Sequence, residues 1–201
     1  MSETLDQDPI VEVEPEQTEG AEPPELDPEV KARRDAALLH VRKFGDPVLK
    51  TKARKVERFD DALLEEIGQM GALMNDAMGI GLAATQIGVL HRVLVYRVQP
   101  DAPVSALVNP ELQWSSPEEE IAEEGCLSLP LVHVDVERPL HVRVQAQDEH
   151  GEPLLIEASG LEARVLQHEI DHLDGVLILS RTTREHRKEA MRLLRELQQP
   201  S

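Results

Sequence analysis

The chain has 201 residues, 40% of them apolar, and a formal net charge of −18. That length fits one domain with a real core. A single cysteine, Cys126, excludes an internal disulfide framework and fits a reducing compartment; no stretch reaches the roughly 18 apolar residues of a membrane span, and an acidic chain without a basic stripe argues against sequence-specific nucleic-acid binding.

The charge is unevenly spread. Residues 1–30 hold eleven Asp/Glu and no Lys or Arg, whereas residues 31–201 carry 28 acidic and 21 basic residues, about −7. The opening segment is also Pro-rich and nearly free of large apolar side chains, so it is expected to be a disordered acidic tail. It has neither the basic start nor the apolar run of a signal peptide. Residues 31–201 are then the folded domain, expected in the cytoplasm.

Beyond the tail, a Gly-Asp-Pro turn falls at 45–47. "FDDALLEEIGQMGALMNDAMG" follows, with Leu63, Leu64, Ile67, Met70, Met74 and Met78 at helical spacing. Asp60 or Asp61 is the expected N-cap and Gly79 the stop. "GIGLAATQIGV", 79–89, reads as a Gly/Ala-rich loop. "HRVLVYRV" and "APVSALVNPELQW" read as strands, the second ending at Asn109-Pro110. Residues 132–160 alternate in long runs and predict antiparallel strands with a turn at "DEHG". A helix is expected over 161–174, stopped by Gly175. The last element is an amphipathic helix whose stripe is Ala190, Met191, Leu194 and Leu197. Strands followed by helices give an α+β fold.

"VLQHEIDHLDG" carries the chemistry. His168 and His172 stand four apart, on one helical face, and can aim both imidazoles at one ion. Glu169, beside the first, can reach a metal-bound water without ligating the metal. The competing reading is a solvated polar face. The apolar neighbours Val165, Leu166, Ile170 and Leu173 place part of this helix inside, where histidines need partners. A catalytic ion needs a third protein ligand and one open position. The HExxHxxGxxH extension fails at Ile178, and Glu189 or Glu196 fall on a helix patterned for solvent. Cys126, in "EEGCLSLP", is the remaining candidate. As a residue type it is more often a small buried hydrophobe, and as a nucleophile it would leave the HExxH spacing unexplained. A thiolate with two imidazoles is a sound tetrahedral set. Gly125 before it permits an unusual backbone. In "GIGLAATQ" Gln86 is the polar side chain long enough to donate a hydrogen bond, or else merely caps a turn.

"GIGLAATQ", "EGCLS" and "QHEIDH", in that order, together resemble the three motifs of the peptide deformylases, and the likeness extends over about residues 38–180. The resemblance implies a compact α+β fold with antiparallel sheets packed around the HExxH helix and a C-terminal helix. It implies removal of the N-terminal formyl group from new polypeptides that begin with formyl-methionine, met at the ribosome exit by a monomer. It assigns Cys126, His168 and His172 to one metal ion per chain, Fe²⁺, with Zn²⁺, Ni²⁺ or Co²⁺ as substitutes. Glu169 becomes the general acid/base, with Gln86 and the Leu127 N–H as donors to the developing oxyanion. Backbone groups around Gly81 and Gly125 align the peptide. Ile80, Leu161 and Val165, with the stem of Arg164, form the methionine pocket. Leu131 and His133 depart from the family's usual Gly and Arg, and bear on preference beyond methionine. Arg138 keeps the usual residue. A zinc metalloprotease of the HExxH type and a non-catalytic metal-binding homologue are the alternatives.

Overall fold

The computed structural model describes residues 26–198. The expected tail falls mostly on residues 1–25, outside the described residues. Its boundary at residue 30 shifts, because Pro28–Leu38 form helix α1. The Asp27 carboxylate accepts from the Glu29 N–H at 2.9 Å, and Pro28 fills a first-turn position where a missing N–H costs nothing.

Helix α2 spans Asp61–Asp76 and Asp60 caps it, accepting from the Leu63 N–H at 3.3 Å. Leu63, Met70 and Met74 are buried as the spacing predicts. Leu64 and Met78 are exposed instead. Met78 lies past the helix end in the left-handed region, φ 59°, so the helical period no longer applies to it.

The segment read as a loop is partly ordered structure. Gly81–Ala83 form β1, and Ala84–Ile87 a 3₁₀ turn. Glycine and alanine are poor strand formers, yet all three residues of β1 are buried and pair with β2, Val93–Tyr96. Strand β3, Ser105–Ser115, runs through the expected stop. Pro110 is tolerated because the register shifts between Val108 and Glu111. Asn109, at φ 54°, exchanges two bonds with the Val56 backbone and donates to Gln147 Oε1.

β6, His141–Gln147, and β7, Pro153–Ser159, complete an antiparallel sheet of order β1-β2-β3-β6-β7. Between β3 and β6 the chain makes a separate hairpin, β4 Glu119–Cys126 and β5 Leu129–Pro139. Its turn is the two residues Leu127 and Ser128. The Glu-rich β4 carries too few β-branched residues to read as a strand.

Helix α3, Leu161–Leu173, lies against the large sheet. Val165, Leu166, Ile170 and Leu173 share a cluster with Leu94, Leu107 and Val144. Gly175 follows at φ 75°, where a Cβ would fall 2.6 Å from the Lys50 carbonyl oxygen. Helix α4, Arg184–Gln198, packs Ala190 and Leu194 on Val132, Val134 and Val136 of β5, with Met191 half-buried. Leu197 is 46% exposed, contrary to its place in the stripe. Arg195–Leu197 are exposed throughout, so the stripe outruns the surface it packs on. The fold is α+β, built of antiparallel sheets and four helices, as expected. Among the described residues no helix is long and apolar enough to cross a membrane.

Candidate metal centre

The helical period of α3 and the end of β4 bring three candidate ligands together. The His168 and His172 rings lie 4.9 Å apart. Cys126, the last residue of β4, puts Sγ 3.2 Å from His172 Nε2. The three ligand atoms all lie within 4.8 Å of one another. This is the only such His/Cys/Asp/Glu group among the described residues. One sulfur and two imidazole nitrogens, with a fourth position free, suit a divalent ion such as iron or zinc. Ile178 is buried in an apolar cluster and Glu189 and Glu196 are exposed on α4, so none of them joins.

Glu124 orients the first histidine. Its Oε2 lies 3.0 Å from His168 Nδ1, which leaves Nε2 for the metal. It accepts from Arg138 Nε at 2.6 Å and Nη2 at 3.0 Å, and from Arg164 Nη1 at 2.8 Å. Burial pushes the Glu124 carboxyl up, but the His168 and Arg138 hydrogen bonds outweigh it and hold the pKa at about 2. Burial likewise disfavours the charged form of His168, and its bonds to Cys126 and Glu124 raise it to about 10. Arg138 Nη1 continues to Asp171 at 2.9 Å, and Asp171 accepts from Arg181 Nε at 3.0 Å. Glu124 stood inside the Glu-Gly-Cys motif without a role; only the tertiary structure gives it one. The Arg164 guanidinium is tied to Glu124 and to the Val136 and Glu120 carbonyls, so its head belongs to the hairpin.

Glu169 is buried, and its Oε2 has no hydrogen-bond partner among the described residues. Such an atom is left for an incoming group. Burial, the largest influence, raises its pKa to about 7 against the lowering pull of His168 and Arg138. A carboxyl poised there can both accept and donate a proton at neutral pH. Gly81 is required beside it: a Cβ on Gly81 would overlap Glu169 Oε1 and sit 2.9 Å from Cγ.

Gln86 is 1% exposed. Its Oε1 accepts from the Ala83 N–H at 2.8 Å, which turns the NH₂ end toward Ser128 Oγ, 3.3 Å away, and Cys126 Sγ, 3.8 Å away. Leu127, in the hairpin turn, follows Cys126 directly. Gly81 lies on an edge strand of the large sheet and Gly125 on the two-stranded one. Ile80 and Leu161 are about half exposed, whereas Val165 is buried in the main core. His133 lies flush over Gly125, where a Cβ would meet it at 3.1 Å, and Leu131 is 71% exposed.

A sulfur and two imidazoles around one point, with a buried carboxyl of near-neutral pKa beside them, define a metal-dependent hydrolase. Residues 38–188 match the polypeptide deformylase family model. The chain is 48% identical over 160 residues to a peptide deformylase of Acidothermus cellulolyticus, covering 80% of this chain and 87% of that one. A crystal structure of a peptide deformylase from Legionella pneumophila superposes with a TM-score of 0.74 at 38% identity, over 80% of this chain and 98% of that one. A peptide deformylase from Synechococcus elongatus, in complex with actinonin, gives 0.73 at 42% identity, over 76% and 85%. The chain belongs to the peptide deformylase family.

Proposed function

We propose that this chain hydrolyses the N-formyl group of polypeptides that begin with formyl-methionine, releasing formate. The observation that carries the reading is the convergence of Cys126, His168, His172 and the buried Glu169 in a chain of this family. Buried Ile178 and the solvent-exposed Glu189 and Glu196 speak against the protease alternative, which needs a third ligand at one of those positions. The intact, buried Glu169 and Gln86 disfavour a non-catalytic homologue.

Cys126, His168 and His172 would hold one divalent ion, for which we propose Fe²⁺, with Zn²⁺, Ni²⁺ or Co²⁺ as substitutes. Bound there, the ion supplies Lewis acidity that acidifies a coordinated water and polarises a carbonyl. Glu169 takes a proton from the attacking water and delivers it to the amine nitrogen as the C–N bond breaks. Gln86 Nε2 and the Leu127 N–H donate to the formyl oxygen as it becomes negative; losing one such donor costs about 3 kcal/mol of barrier. Backbone groups at Gly81 and Gly125 align the peptide, and Ile80, Leu161 and Val165 line the methionine pocket. The protein acts as a cytoplasmic monomer on nascent chains at the ribosome exit.

The test is formate release from a formyl-Met tripeptide by protein purified under argon with one equivalent of Fe²⁺. Absence of release sinks the proposal, and cleavage of an internal peptide bond instead supports the protease reading.

A further inference from the structure

We propose that Lys43 is a positioning residue for the turn that carries the Leu127 N–H. The proposal rests on the reading of that N–H and of Gln86 as donors to the formyl oxygen.

Lys43 belongs to none of the three motifs and lies 84 residues before the turn. Its Nζ donates to the Leu127 carbonyl oxygen at 3.1 Å. The residues on either side act on the same groups. The Phe44 N–H donates to the Ser128 carbonyl at 2.9 Å, and the Arg42 N–H to the Gln86 carbonyl at 2.7 Å. Three consecutive residues thus brace both oxyanion donors, and Gln86 Nε2 closes the loop on Ser128 Oγ at 3.3 Å.

The turn needs such bracing. Leu127 and Ser128 are a two-residue connection, and the strand register shifts at Gly125/Cys126. Holding the Leu127 carbonyl restricts rotation about the Leu127 Cα, and so restricts the direction of its N–H. On the other side of the turn, Leu127 Cδ1 lies where a Cβ on Gly79 would be only 3.0 Å away, so the side chain is confined as well. A lysine suits the position because a half-buried ammonium makes a charge-assisted bond. Burial, the largest influence, lowers the Lys43 pKa against the raising pull of Cys126. A displacement of about 1 Å at such a donor can cost up to about a hundredfold in rate.

The experiment compares Lys43→Met, Lys43→Arg and Gln86→Ala in Zn²⁺-loaded protein. Lys43→Met is expected to lower kcat about tenfold with KM nearly unchanged. Metal content and melting temperature should stay at wild-type values, and the Leu127 amide resonance in a ¹H–¹⁵N spectrum should shift. Lys43→Arg is expected to restore both kcat and the resonance. Should Lys43→Met not fold, Lys43→Gln carries the same comparison. Unchanged kcat in the Lys43 variant with an impaired Gln86→Ala overturns the role of Lys43 and leaves the donor reading standing. Unchanged kcat in Gln86→Ala overturns the donor reading and this inference with it. A loss that follows reduced metal content, or that arginine fails to restore, also overturns it.

Discussion

At the scale of single residues, desolvation decides how Glu169 titrates. Arg138 and His168 pull its pKa down, yet burial raises it to about 7. The deprotonated form is the one that accepts a proton from water. The rate should therefore rise with pH through this pKa, and the acid limb of kcat/KM should fall at or below about 7. A bound cation adds to the lowering pull of Arg138 and His168. A pH–rate profile without an acid limb, or a Glu169→Ala variant that keeps its turnover, would contradict the role. Glu169→Ala should retain one metal ion per chain, because Glu169 is not among the three ligands, while losing about a hundredfold or more in kcat.

At the scale of elements, the hairpin and α3 are joined by ionic contacts. Glu124 on β4 meets Arg138 on β5 and His168 on α3. Its folded pKa of about 2 lies below the ordinary 4.5. Its contribution is therefore fully present above about pH 4.5 and is lost as pH falls toward 2, on the order of 3 kcal/mol. Denaturant midpoints measured across that window should fall more steeply for the wild type than for Glu124→Gln. The C-terminal helix offers a second comparison. Leu194 is 3% exposed and Leu197 46%. Leu194→Ala should cost about 2–5 kcal/mol, and Leu197→Ala less than about 0.5 kcal/mol. Equal losses in chemical unfolding would contradict this difference in burial.

At the scale of the whole molecule, the candidate centre joins two substructures. Cys126 comes from the two-stranded sheet, and both histidines from a helix packed on the five-stranded one. An ion held by all three ties the substructures together. Chelation should therefore abolish formate release and also lower the melting temperature, and Fe²⁺ added back under argon should restore both. A melting temperature indifferent to metal would show that the ion does not bridge them.

Local spacing was enough to place His168, Glu169 and His172 on one helix, because a period of 3.6 residues is a property of neighbours in the chain. It also exposed Ile178 as the missing protease ligand, which left Cys126 as the candidate, and it picked out Leu63, Met70 and Met74 as core. Where pairing partners lie far apart, local pattern was silent or misleading. Gly81–Ala83 become a strand only because β2 is there to pair with them, and Glu-rich β4 only because β5 is. Glu124, Arg138 and Lys43 act across separations of 14 to 84 residues. No periodicity records such contacts, and burial creates their energetics. The sequence by itself determined which residues are candidates to bind a metal and move a proton. The tertiary structure decided which charges are buried beside them, because desolvation and long-range hydrogen bonds exist only once the chain has closed on itself.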